Sequence, residues 1–142
     1  MREALSAGVK VGLGSDISGG YQLAIQDSMR WAVATSRSRE GQRQRKGEGS
    51  SSESTLAISW KEAIYLATLG GAQAMGMDKH VGSFAVGKSF DAQLIELGRE
   101  KSRVDWFGEA DLEELIEKWW CNGREEDRVG VWVQGRRLRD LE

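Results

Sequence analysis

With 142 residues, 20 basic and 22 acidic side chains and a net charge of −2, the chain could form one ordinary domain and has no global attraction to nucleic acid or an anionic membrane. A single cysteine, Cys121, excludes an internal disulfide framework and fits a reducing, cytoplasmic setting. No apolar run approaches the ~20 residues that cross a bilayer, and the first residues lack the continuous apolar stretch of a secretory signal. There is no proline, and His80 is the one histidine, too few imidazoles for a zinc site that takes about three or four protein ligands.

In chain order, residues 2 to 8 read as a helix tail ending in Ala-Gly. Val9, Val11 and Leu13 alternate with Lys10, Gly12 and Gly14, the pattern of a short strand ending at Ser15 and Asp16. After a glycine turn, Ile25, Met29, Ala32 and Val33 fall on one face of an amphipathic helix over about residues 23 to 36. Strand, glycine-rich turn and helix make half of a βα unit. Residues 37 to 54, RSREGQRQRKGEGSSSES, contain no apolar side chain, and a solvated, disordered insertion is expected over 37–57.

Order resumes at Ser59, which with Glu62 has capping-box spacing. Trp60, Ala63, Ile64 and Ala67 then form an apolar face. That helix is expected to stop near Gly70-Gly71 or to be interrupted there and continue through AQAMGM. Strand segments are expected at Phe84–Val86 and Phe90–Leu97, about a Gly-Lys turn. Asp111 and Glu114 offer a second capping box, ahead of a face of Leu112, Leu115, Ile116 and Trp119. Val129, Val131 and Val133 alternate around Trp132, and Gln-Gly then turns the chain into a last strand or hairpin.

Asp16 is the residue type and position that invite chemistry. A carboxylate just past the C-terminal end of a strand, in a βα loop, stands where α/β barrels place catalytic groups. Gly19 and Gly20 permit a turn that side chains would block. Glycine turns containing an aspartate also occur for purely structural reasons. No GxGxxG motif is present.

The run VKVGLGSDISGGYQLAIQDSMRWAVATSR resembles the last barrel strand and following helix of guanine deaminases in the amidohydrolase superfamily, with their GLG[ST]D pattern and Gly-Gly-Tyr turn. SWKEAIYLATLGGAQAMGMDKHVGSFAVGKSFDAQLIEL is similar to that family's A-T-x-G-G-A-x-A-x-G helix and its G-x-[FL]-x-V-G-K-x-F-D-A re-entry into a small β-domain. DLEELIEKWWCNGREEDRVGVWVQGRRL is similar to the closing helix and strand of fungal-type members. The resemblance leaves out only residues 37 to 54.

That resemblance implies an α/β fold: the last βα unit of a (β/α)8 barrel, over residues 1–80, and part of a composite β-domain with a closing helix and strand, over 81–142. It implies one zinc ion, held by a His-x-His pair, two further histidines and the aspartate matched by Asp16. It also implies hydrolytic deamination of guanine to xanthine and ammonia, in purine catabolism. Asp16 would be both metal ligand and proton carrier, working beside a glutamate on an earlier strand. Ser18 and Tyr21 would border the purine. The histidines and the glutamate match no residue of this chain, whose homolog segment begins just before the last barrel strand.

The remaining candidates read as structural. His80 is an exposed turn residue, and Lys88 and Asp91 serve the fold. Trp119 and Trp120, beside Cys121, are core and rim of one helix, with a partner surface as the alternative. Competing functions are a non-catalytic subunit joining a histidine-rich partner or the missing N-terminal half, and an amidohydrolase acting on another aminopurine, a triazine or a pterin. An RNA-binding module using Arg37, Arg39, Arg43, Arg45 and Lys46 is opposed by the near-neutral charge and the lack of interleaved aromatics. A homo-oligomer is compatible with the resemblance. A single βα unit leaves its strand edges open, so the isolated chain is expected to fold poorly and to bind zinc weakly. It should release no ammonia from guanine even with added zinc; a colorimetric ammonia assay on purified chain checks this.

Overall fold

The computed structural model describes residues 1–20, 22–48, 55–100, 102–105 and 108–140. The chain divides into two compact units, Met1–Ser83 and Phe84–Glu142. Among the described residues no helix is long and apolar enough to cross a membrane.

The first unit contains α1 (Arg2–Ser6), α2 (Ile25–Arg45), α3 (Trp60–Ala67) and α4 (Leu69–Ala74). Its buried apolar residues are Met29, Val33, Ile58, Ala63, Leu66 and Ala72. α3 starts as its sequence predicts. Ser59 Oγ accepts from the N–H of Glu62 (3.2 Å), and Glu62 Oε2 accepts from the N–H of Ser59 (2.8 Å), a reciprocal capping box. The helix breaks at Thr68, ahead of the Gly70-Gly71 pair where the interruption was expected. The Thr68 hydroxyl donates to the carbonyl of Ile64 (2.7 Å), competing with the helical ladder.

α2 corrects the expected disordered insertion at 37–57. Residues 37–45 are helical, Lys46–Glu48 and Thr55–Ala57 are described as turn and coil, and 49–54 lie outside the described residues. The missing apolar face misled because Arg, Gln and Glu are good helix formers, and because polar contacts hold this extension. Ser36 Oγ accepts from the N–H of Ile58 (3.0 Å), and Glu40 Oε2 from the N–H of Leu56 (2.7 Å). Four residues of helix rise about 6 Å and two residues of extended chain about 6.6 Å, so the two acceptors meet alternate N–H groups of the returning segment. The N–H of Leu56 holds the Glu40 carboxyl below its ordinary value, with help from Gln44 and Arg43.

Residues 9–14 are not a strand, contrary to expectation. A strand requires a neighbouring strand to pair with, and the described residues of this unit contain none. The segment instead lies against α3 and α4. The N–H of Leu13 donates to the carbonyl of Leu66 (3.1 Å), and a Cβ on Gly12 would stand 2.8 Å from Gly71 Cα. A Cβ on Gly70 would stand 3.1 Å from the Val11 carbonyl. Glycine at these places permits backbone-to-backbone approach. Arg2 ties α1 to α3: its Nη1 lies 2.6 Å from Glu62 Oε1 and its Nη2 donates to the Ala57 carbonyl (2.8 Å).

The second unit contains β1 (Ala92–Ile95), α5 (Leu112–Asn122), β2 (Arg128–Val133) and β3 (Arg136–Asp140), the strands forming an antiparallel sheet in the order β1-β2-β3. The expected strand at Phe84–Val86 is absent, and the second begins at Ala92. Phe84 and Val86 are exposed, and no described strand pairs with them. The predicted hairpin is present: Gln134 (φ 52°) and Gly135 (φ 75°) are both left-handed, the two-residue turn whose twist suits antiparallel strands.

Asp111 accepts from the N–H of Glu114 (2.8 Å) and caps α5. The expected apolar face is displaced, since Leu112 is exposed while Trp120 is buried with Val104 and Asp127. Gly123, just past the helix, leaves space for the half-buried Trp119 indole. Phe90 meets Trp132 edge-on at 6.0 Å, and the Arg137 guanidinium lies 5.2 Å from the same indole.

Two expectations follow for stability. The hydrogen bond from Arg2, then those from Ser59, hold the Glu62 carboxyl at about 2, against an ordinary 4.5. Its contribution is therefore complete above 4.5 and lost as pH falls toward 2. Because the side chain is 36% exposed, solvent screening reduces the effect to about 1 kcal/mol. Glu62→Gln should cost that much near neutrality and flatten the acid limb; urea melts across this pH range would show parallel limbs if the linkage were wrong. Separately, Gly41→Ala places a methyl where nothing lies within 4 Å and should stabilise α2 by about 0.5–1 kcal/mol. Gly12→Ala should cost about 1–3 kcal/mol through overpacking. Denaturant midpoints at constant slope measure both.

Candidate active-site loop

Asp16 stands at the end of the segment that α3 and α4 hold in place. It adopts φ 51°, and Ser18 adopts φ 78°, left-handed values that are uncommon outside glycine and concentrate at functional sites. The turn closes on the Asp16 carbonyl, which accepts from the N–H groups of Gly19 (2.8 Å) and Gly20. Ile17 and Gly20 form an isolated bridge. Ser28, in the first turns of α2, donates from Oγ to the Gly14 carbonyl (3.2 Å), joining the helix to the chain two residues before Asp16.

The Asp16 side chain is exposed and enters no ion pair among the described residues. It is a hard oxygen donor at a loop surface, suited to zinc as one ligand among several. Among the described residues no group of three or more His, Cys, Asp or Glu side chains could hold a metal ion.

Ser18 is exposed in the same turn as Asp16. Tyr21, its expected companion at the purine, lies outside the described residues. His80 is exposed, and its N–H donates to the Met77 carbonyl in a turn (2.9 Å). Asp91 Oδ1 accepts from the N–H of Gln134 (2.6 Å), which fastens the hairpin turn, and the half-buried Lys88 lies in the preceding turn. Trp120 is buried, Trp119 half-buried and Cys121 exposed. Of the basic residues beyond Ser36, Arg39 pairs with Glu3, Arg43 with Glu40 and Lys46 with Glu48. A cavity of about 350 Å³ is lined by Leu13, Ser15, Gly20, Ser28 and Trp31 among others, and not by Asp16. The contact made by Ser28 has no counterpart in the sequence, where that residue carries no distinguishing pattern.

The amidohydrolase family matches residues 1–138, and the chain belongs to that family. It is 36% identical over 143 residues, the whole of its length, to a probable guanine deaminase of Schizosaccharomyces pombe, of which it covers 26%. It is 32% identical over 139 residues to the guanine deaminase of Dictyostelium discoideum, covering 98% of this chain and 29% of that one. The crystal structure of guanine deaminase from C. acetobutylicum with bound guanine superposes with a TM-score of 0.74 at 29% identity, over 97% of this chain and 29% of that one. The chain thus spans under a third of the length of these relatives, as a small α/β piece.

Proposed function

We propose that this chain supplies the C-terminal barrel unit, and part of the adjoining β-domain, of a zinc-dependent guanine deaminase. The observation that supports the reading is Asp16. Its carboxylate is exposed and free of ion pairs among the described residues, in a left-handed glycine turn, within a chain similar to guanine deaminases along its length. The reaction forms a C–O bond and breaks the C–N bond at the ring carbon bearing the amino group, giving xanthine and ammonia from guanine and water.

In this reading the Asp16 carboxylate is one ligand of the zinc ion, and the others come from polypeptide outside this chain. When bound, zinc supplies the Lewis acidity that brings the pKa of water toward neutrality. The carboxylate accepts the proton of the attacking water and hands it to the departing amino group, so that ammonia leaves neutral. Ser18 and Tyr21, two and five residues along the chain, border the purine. The left-handed turn fixes the backbone from which the carboxylate projects, a first part of the preorganisation that proton transfer requires.

The test is a chimera in which this chain replaces the corresponding C-terminal quarter of the S. pombe relative. It should convert guanine to xanthine, and Asp16→Asn should lower kcat by about 10³-fold. A chimera whose kcat is indifferent to Asp16→Asn would refute the assignment.

A further inference from the structure

We propose that Gly19 is a positioning residue for the Asp16 carboxylate: its missing side chain leaves the space that Oδ2 occupies. A Cβ on Gly19 would stand 2.6 Å from Asp16 Oδ2, 3.2 Å from Cγ and 3.3 Å from Oδ1. All three atoms belong to the end of one side chain, and none is backbone. Gly19 is also absent from the residues of positive φ, so backbone conformation does not itself demand glycine here. Gly20 differs. A Cβ there would run into the Ser15 carbonyl and stand 3.0 Å from that of Asp16, so the chain itself would have to move.

The distinction decides what alanine would do at position 19. Side-chain torsions have staggered wells roughly 120° apart, and Asp16 faces solvent, so the clash is relieved by turning the carboxylate rather than by refolding the loop. The turn's hydrogen bonds, from the N–H groups of Gly19 and Gly20 to the Asp16 carbonyl, are indifferent to that rotation. Such a change displaces the oxygens by more than the about 1 Å that can cost 10²-fold in rate. Gly19→Ala should therefore be mild for stability and severe for any chemistry that Asp16 performs. The inference rests on the role proposed above for Asp16.

The experiment uses the same chimera, with Gly19→Ala, Asp16→Asn and the double variant. Gly19→Ala should lower kcat by about 10- to 100-fold with KM changed by less than about threefold. It should lose zinc to a chelator faster than the parent, and melt within about 2 °C of it. Combined with Asp16→Asn it should add nothing further, since both changes act through one carboxylate. Parental kcat and zinc retention in Gly19→Ala, with Asp16→Asn inactive, would overturn the inference and leave the functional reading intact. An active Asp16→Asn would instead overturn that reading. Should Gly19→Ala lower the melting temperature more than expected, the comparison moves to an Asp16→Ala background. No loss there supports the clash with the carboxylate, and an equal loss in both backgrounds refutes it.

Discussion

The position of Asp16 depends on how closely the α3–α4 pair approaches the backbone of residues 11–13. A Cβ on Gly12 would fall 2.8 Å from the Cα of Gly71, and one on Gly70 would crowd the Val11 carbonyl. Main chain lies on main chain with no side chain between. The contact is short enough for Leu13 to donate its N–H to the Leu66 carbonyl. α4 is only six residues long and includes two glycines, a composition of low helical propensity. Packing against the extended segment, rather than propensity, accounts for its presence. Three residues beyond Leu13 the chain reaches Asp16, and the rigidity of this contact is what the loop inherits.

From there the loop is self-contained. One carbonyl, that of Asp16, gathers two N–H groups, and two non-glycine residues adopt left-handed backbone. This spends conformational energy locally, as functional loops do, and leaves a carboxylate facing outward. Family membership gives the exposed acid a context, and the chain spans under a third of the length of its guanine deaminase relatives.

Much of this was legible in the sequence, wherever a local rule ruled. Ser59 with Glu62, Asp111 before α5, and Gln134-Gly135 each act through hydrogen bonds or dihedral angles confined to a few residues; the first and last appear as read, and Asp111 supplies the cap without the return bond of a full box. Asp16 stood out because a strand-like pattern ended in an acid among glycines. What stayed hidden depends on distant partners. The alternation at 9–13 indicated a strand, and the described residues of this unit hold no neighbouring strand to make it one. The residues beyond Ser36 looked disordered because they lack an apolar face, yet Ser36 and Glu40 meet Ile58 and Leu56 across 22 and 16 positions. The helix face expected around Leu112 instead buries Trp120, a residue outside the apolar set that its spacing picked out.

The matched pitch of α2 and its returning segment has an evolutionary corollary. Both anchors, at Ser36 and Glu40 on one side and Leu56 and Ile58 on the other, lie outside the stretch between Lys46 and Thr55. A change in its length leaves both anchors in place, since each doubling of a connection's length costs only about 0.6 kcal/mol. An insertion of one residue inside the helix between Ser36 and Glu40 would instead rotate one acceptor by about 100° and break the correspondence. Length variation among related chains should accordingly gather in the connection and spare the helical spacing.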